Sequence, residues 1–523
     1  MDTPGALPED DITGSSGNER INPLGIFFKD LRLVFKKDEL GIEIFQIALP
    51  AALALAADPI ASLVDTAFIG HIGPVELAAV GVAIAVFNQV SKIAIFPLVS
   101  ITTSFVAEED ATSKIRSIEE EETDNMEKAL PKSSEMKESS TQADTEDTEH
   151  NSSFLAGKNQ RKPRVASKKK HIPSVSTALV IGGVLGLLQA ILLIFSAKPA
   201  LRFMGVHSDS PMLAPARKYL TLRSLGSPAV LLSLAMQGVF RGFKDTKTPL
   251  YATVIGDVAN IILDPILMFS CRLGVSGAAI AHVVSQYLIS LIMLLRLMRK
   301  VEILPPSVRD LQFGRFLKSG GLLLARVVAV TFCVTLAASM AARHGSISMA
   351  AFQVCLQIWL TTSLLADGLA VAAQAILASA FARKDHTKVV AATARVLQLG
   401  LVMGLALAVL LGIVMQFAWR IFTKDVKVMQ LMRLGIPFVA ATQPLNSLAF
   451  VFDGINFGAS DFAYTAYSMV VVSAISIASL FLLSSSHGFV GIWTALTIYM
   501  SLRMFAGYGR IGIAKGPWKF LRG

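Results

Sequence analysis

Between Thr248 and Met268 the chain reads TPLYATVIGDVANIILDPILM, an apolar run interrupted by Asp257, Asn260 and Asp264. Spacings of three and four put these side chains on one face of a helix. An aspartate inside a bilayer costs roughly 2.5–3.5 kcal/mol on insertion scales and faces a bundle interior or a wet cavity. Two carboxylates and an amide on one stripe suit reversible binding of a proton or of Na⁺. The plainer role for them is hydrogen bonding between helices. A similar stripe, Asp58, Ser62 and Asp65, occurs in an earlier apolar segment that also contains Pro50 and Pro59. Asn88 and Lys92 stand one turn apart in the next segment. Later apolar segments enclose Arg326, Gln357, Asp367, Tyr499 and Arg503. Lys and Arg there offer anion chemistry, and the planar fork of arginine fits a carboxylate. Each of these basic residues has a structural alternative, an ion pair between helices such as Arg326 with Asp367.

These residues need helices to hold them at membrane depth. The 523-residue chain is 53% hydrophobic, with a mean hydropathy of +0.57, which excludes an ordinary soluble enzyme and specifies an all-α polytopic membrane protein. Twelve apolar segments are expected near 43–70, 76–107, 173–197, 215–240, 248–270, 276–298, 315–342, 349–379, 389–418, 427–450, 460–484 and 488–510. Thr248 and Pro249 open the fifth as N-cap and first helical residue. An even number of crossings puts both termini on one side. Lys and Arg concentrate there, so that side is expected to be cytosolic. The same bias accounts for the net charge of +10 without nucleic acid. Three cysteines without paired spacing imply neither a disulfide framework nor a metal cluster. The first residues, MDTPGALPEDDITG, are acidic and read as neither a signal nor a transit peptide.

The expected organisation is a cytosolic N-terminal tail (1–42), two transmembrane segments (43–107), a disordered cytosolic loop (108–171) and four further segments (172–300). A linker (301–314), six more segments (315–510) and a cytosolic C-terminal tail (511–523) complete it. The loop is rich in Glu, Ser and Thr and ends in basic residues, with little to bury. Its lysines could alternatively rest on anionic lipid. The two halves also repeat. HIGPVELAAVGV from His71 aligns with HGSISMAAFQV from His344. Phe240 and Gly242 then meet Phe452 and Gly454, and Gly274, Gly277 and Ala281 meet Gly488, Gly491 and Ala495. The offset between the halves falls by nearly the length of the long loop, so the loop is an insertion in the first. Both halves start on the same side, giving two parallel six-helix lobes. Transferring the alignment leaves carboxylates in the first half and arginines in the second.

LVDTAFIGHIG, FRGFKDTKTP and NIILDPILM, set in twelve spans, resemble a multidrug and toxic compound extrusion (MATE) transporter over nearly the whole chain. That resemblance implies the MATE fold and a cation-handling site in the N-lobe at Asp65, Asn260 and Asp264, with Asp58 and Asp257 beside it. LALAADPIASLVDTAFIGHIG, FNQVSKIAIFPLVS, TQPLNSLAFVFDGINFGASDFAYTAYSMV and GPWKFLRG are similar to the plant citrate-exporting branch. Citrate release across the plasma membrane, linked to aluminium resistance or iron movement, is what this branch implies. Arg326 stands where drug-handling relatives often have an acid. Lys92, Arg326, Arg503, Asn88, Gln357, Asp367 and Tyr499 are the expected substrate contacts. The expected protein is thus a monomeric secondary transporter that moves citrate against protons without a cofactor, metal or catalytic residue. The alternatives are an organic-cation antiporter and an anion-selective channel. No nucleotide-binding loop occurs, which argues against an ATP-driven pump.

Overall fold

The computed structural model describes residues 38–129, 172–204, 206, 209–301, 311–422 and 426–522. The expected tail up to Lys37, and most of the expected loop and linker, lie outside the described residues. Helix α1 (Glu39–Gly70) begins where the Asp38 carboxylate accepts from Gly41 N at 2.8 Å, an N-cap that satisfies an otherwise orphaned donor. It is followed by α2 (Pro74–Ala129), α3 (Pro173–Phe203), α4 (Leu213–Ser224), α5 (Ser227–Gly242), α6 (Lys247–Pro265) and α7 (Val275–Lys300). These form the first lobe. The second contains α8 (Phe313–Arg343), α9 (Ser346–Ala382), α10 (His386–Phe422), α11 (Val426–Ala441), α12 (Gln443–Gly458) and α13 (Phe462–Gly512).

Nine of these helices are long and apolar enough to cross a membrane, and two further crossings are bent pairs. The pairs α4–α5 and α11–α12 turn by 48° and 47°. Each break is followed by a proline, Pro228 or Pro444, which cannot donate to the preceding turn. Helix α13 is itself two spans, because Gly488 departs from helical geometry at φ 56°. Counted so, the described residues make twelve crossings. Gly274 has nearly the same backbone, φ 54° and ψ −132°, at the start of α7. Only glycine adopts this conformation without strain, so the two turns are one feature used twice.

The repeat is real, but its register at α5 and α12 differs from the sequence alignment by one turn. Pro228 and Pro444 occupy equivalent positions, so Gly238 and Gly242 correspond to Gly454 and Gly458. The packing agrees: Gly238 and Gly242 lie against Val99–Val106 of α2, and Gly454 and Gly458 against Ala370–Leu377 of α9. A slip of four residues keeps the same helical face, which is why the sequence tolerated it.

The expected disordered loop also needs correction, since α2 continues as helix from Glu108 to Ala129. The segment is rich in Glu, a good helix former, with an i,i+4 pair between Asp110 and Lys114 at 2.7 Å. Tertiary contacts fix its base. Glu109 accepts from Ser174 N at 3.0 Å and Gln312 Nε2 at 2.9 Å, while Arg315 pairs with Glu108 at 2.5 Å and stacks on Phe105. The C-terminal segment is likewise packed, with Trp518 fully buried against Phe381.

The two lobes meet at the end that carries the termini. There Ile44, Ile47 and Ala51 of α1 join a core with α9, α10 and α12, and Phe105 of α2 packs on Phe316 and Phe462. Polar links reinforce the contact. Glu43 accepts from Lys244 at 2.6 Å within its lobe and from Lys388 at 3.0 Å across the boundary, and Arg395 reaches Asp38 at 2.5 Å. At the opposite end each lobe has its own core, one around Ile69, Phe87 and Tyr219, the other around Phe352, Trp359 and Trp493. The cleft between the lobes therefore opens away from the termini.

Candidate functional site

The stripes of α1 and α6 face each other inside the first lobe. Asn260 Nδ2 donates to Asp65 Oδ1 at 2.7 Å and to Asp264 Oδ2 at 3.4 Å. One amide therefore bridges two carboxylates from different helices. Asp264 is followed by Pro265, after which α6 widens into a π turn over Ile266–Ser270. Proline removes a backbone donor, and π turns recur at functional sites. Three buried oxygens of this stripe, Asp257 Oδ2, Asn260 Oδ1 and Asp264 Oδ1, accept no hydrogen bond. Buried acceptors without donors carry a large desolvation cost. A proton or a small cation would relieve it. Among the described residues no group of three or more His, Cys, Asp or Glu is arranged to hold a metal ion.

Asp58, Asp65, Asp257 and Asn260 line a cavity of about 1350 Å³, part of it open. A second cavity, of about 920 Å³ with its open part included, lies between the lobes and shares Asp58, Ile95, Leu234 and Gln237 with the first. It is walled by α1, α2 and α5 on one side and by α9 and α12 on the other. The sequence-expected coupling residues Asp58, Asp65, Asp257 and Asn260 thus share one chamber, and Asp264 lies behind Asn260 with 1% exposure.

The expected substrate contacts divide. Asn88 lines the N-lobe cavity and Asp367 the inter-lobe cavity. Lys92 and Gln357 are exposed and line neither cavity. Arg326 and Arg503 also line neither cavity. Both guanidinium groups converge on Oδ2 of Asp453, with Arg503 Nε at 3.1 Å. The expected ion pair of Arg326 is therefore made with Asp453 rather than Asp367. Tyr499 is buried beside them, and its hydroxyl has no partner. Asp453 also corrects the reading that carboxylates belong to the first half alone.

Two arginines that sequence reasoning passed over do face the cavities. Arg223, at the end of α4, is 9% exposed; it donates to Tyr219 Oη at 2.9 Å and lies over the Phe87 ring. It lines the N-lobe cavity, and its Nε is buried without a partner. Arg241, in the last turn of α5, lines the inter-lobe cavity. Among the described residues its only side-chain hydrogen bond is a long one, 3.5 Å, to Gln237 Oε1. Among the described residues no carboxylate lies within 4 Å of it. A signal for both was present: Arg223 falls within the fourth apolar segment, and Arg241 belongs to FRGFKDTKTP.

A family model described as MatE matches residues 166–266 and 323–483. The chain is 63% identical to Protein DETOXIFICATION 42 of Arabidopsis thaliana, over 96% of this chain and 97% of that protein. Protein DETOXIFICATION 43 of the same plant is 59% identical, covering 96% of each. Among solved structures, a MOP superfamily transporter from Pyrococcus furiosus superposes with a TM-score of 0.71 at 17% identity, covering 93% of this chain and 97% of that one. The Vibrio cholerae MATE transporter VcmN, in its bent form, gives 0.72 at 16%, covering 91% and 97%. Twelve crossings in two like lobes around a central cleft, together with these matches, place the chain in the MATE family of secondary transporters.

Proposed function

We propose that this protein exports citrate, or a closely similar polycarboxylate, from the cytosol across the plasma membrane in exchange for protons. The observation that carries this reading is Arg241, a cation on the wall of the inter-lobe cavity with no carboxylate in ion-pair contact. A substrate carboxylate would supply the missing partner, and charge-assisted hydrogen bonds of this kind contribute roughly 1.5–3 kcal/mol each. Arg223 offers a second such group in the adjoining chamber. The resemblance of LALAADPIASLVDTAFIGHIG and related stretches to the citrate-exporting branch points the same way. The lobes would rock about the cleft, with the proton carried by the Asp65–Asn260–Asp264 bridge biasing which face is open. Both termini would be cytosolic, the coupling ion a proton rather than Na⁺, and each chain would act alone. In that orientation the described conformation faces outward.

One observation favours a second reading. Asp58 and Asp367 line the same cavity as Arg241, and two carboxylates in a cleft suit an organic cation. Purified protein in liposomes separates the two. Labelled citrate should move under an imposed pH gradient, and Arg241→Gln should cut the rate severely. Movement of a labelled quaternary ammonium without citrate would establish the second reading. Citrate current driven by voltage alone, indifferent to pH, would make the protein a channel.

A further inference from the structure

Arg326 and Arg503 place two guanidinium groups on the single carboxylate of Asp453, while Asp367 feels both of them only at longer range. Among the described residues every hydrogen bond that Asp453 accepts falls on its Oδ2, and none reaches Oδ1. Among the described residues Arg326 Nε has no partner in its buried place, and neither has the neighbouring Tyr499 hydroxyl. Buried charge is costly unless it is paired and hydrogen-bonded, so a surplus cation with a spare donor is an unfinished site.

The cluster sits directly behind the wall of the inter-lobe cavity. Arg326 lies over the rings of Phe96 and Phe457, at 5.7 and 5.2 Å, and Arg503 over Phe450 at 4.6 Å. Those three rings and Asp453 itself all line that cavity. The arginines are thus one side chain away from it, and the side chain between carries the functional group that a carboxylate substrate would bring.

Resting on the reading of the protein as a carboxylate exporter, we propose that Asp453 is a tethered stand-in for the substrate: it holds Arg326 and Arg503 until a carboxylate in the inter-lobe cavity takes its place. A carrier must bind its cargo weakly enough to release it. An internal competitor at effectively constant local concentration lowers the apparent affinity of a free carboxylate for the same donors. It also keeps the arginines paired in the absence of cargo.

Removing the competitor therefore tightens binding. Thermal unfolding of the purified full-length protein is followed against citrate concentration for wild type, Asp453→Asn and Asp453→Ala. The citrate concentration giving half the maximal shift should fall at least tenfold in Asp453→Asn. In Asp453→Ala, acetate should restore thermal stability by filling the place of the lost side chain. No tightening in Asp453→Asn, together with no acetate rescue of Asp453→Ala, would reduce Asp453 to a scaffold residue and overturn the proposal. If the Asp453 variants do not fold, Arg503→Gln decides, because it leaves Arg326 and Asp453 as a matched pair without surplus charge. Citrate should then shift unfolding only at tenfold or greater concentration than in wild type, and an unchanged concentration dependence contradicts the proposal. The substrate reading fails separately. Acetate rescue of Asp453→Ala without any citrate transport by wild type would keep the tethered carboxylate and discard citrate.

Discussion

Gln374 lies 6% exposed on α9, at the floor of the inter-lobe cavity. Its Nε2 donates to Ser100 O at 2.7 Å and to Ser104 Oγ at 2.8 Å, both on α2 of the other lobe. Ser104 Oγ in turn donates to Phe457 O at 2.8 Å. Gln374→Ala removes two neutral hydrogen bonds, each worth about 0.5–1.5 kcal/mol net, so together about 1–3 kcal/mol. These bonds exist only while the lobes meet at the terminus side. Their loss should therefore raise the ratio of terminus-open to terminus-closed molecules by about 5- to 150-fold, at ~1.4 kcal/mol per decade. The assay is electron–electron distance measurement between spin labels at Lys247 and Thr387, exposed residues at the start of α6 and α10. Cys271, Cys333 and Cys355 are replaced first. The mutant should gain a longer-distance component relative to wild type. Identical distributions in folded protein would show that this bridge does not hold the lobes together.

The remaining predictions concern stability and coupling. A Cβ on Gly404 would sit 2.5 Å from Pro444 Cα, whereas one on Gly412 meets nothing within 4 Å. Gly404→Ala should thus cost about 1–3 kcal/mol and lower the melting temperature, while Gly412→Ala in the same helix should leave it level or slightly raised. Asp245, in the turn between α5 and α6, is partly buried, which opposes ionisation. Hydrogen bonds from Lys300 and Thr248 outweigh that and hold its carboxyl below the usual range. A depressed folded value means its contribution is present at neutral pH and fades as pH falls below about 4, the ordinary value of an aspartate. The melting-temperature gap between wild type and Asp245→Asn should close over that range, and a constant gap would assign Asp245 no ionic role. Glu43→Gln weakens partly exposed pairs with Lys244 and Lys388 and should shift the lobe equilibrium by no more than about fivefold, or ~1 kcal/mol. The Lys247–Thr387 distance pair reads this too, and a shift as large as that of Gln374→Ala would contradict the ranking.

The N-lobe site was legible because its residues declare themselves locally. Asp257, Asn260 and Asp264 share one helical face in an apolar run, and their partner Asp65 lies on a stripe of the same kind. The positive-φ turns at Gly274 and Gly488 were visible as a repeated glycine pattern. Other features depended on tertiary contacts. Asp453 lies in FVFDGINFG, where nothing nearby announces that two arginines from α8 and α13 converge on it. Arg241 stands at a helix end, where a basic residue reads as a flank rather than as a cavity wall, and Arg223 is brought to one only by the bend between α4 and α5. The helix beyond Glu108 was hidden by composition, since its acidic run reads as solvated until Glu108 and Glu109 are seen to bind Arg315, Ser174 and Gln312.

In the proposed cycle a proton at the Asp65–Asn260–Asp264 bridge drives a polycarboxylate through the cleft. Labelled citrate uptake into proteoliposomes under an imposed pH gradient tests it most directly, with wild type beside Asp65→Asn and Asp264→Asn. These substitutions keep shape and hydrogen-bonding capacity while removing the exchangeable charge. Wild type should accumulate citrate only with the gradient, and both variants should lose that dependence while inserting at normal abundance. Gradient-driven citrate accumulation that survives intact in both variants would contradict the account.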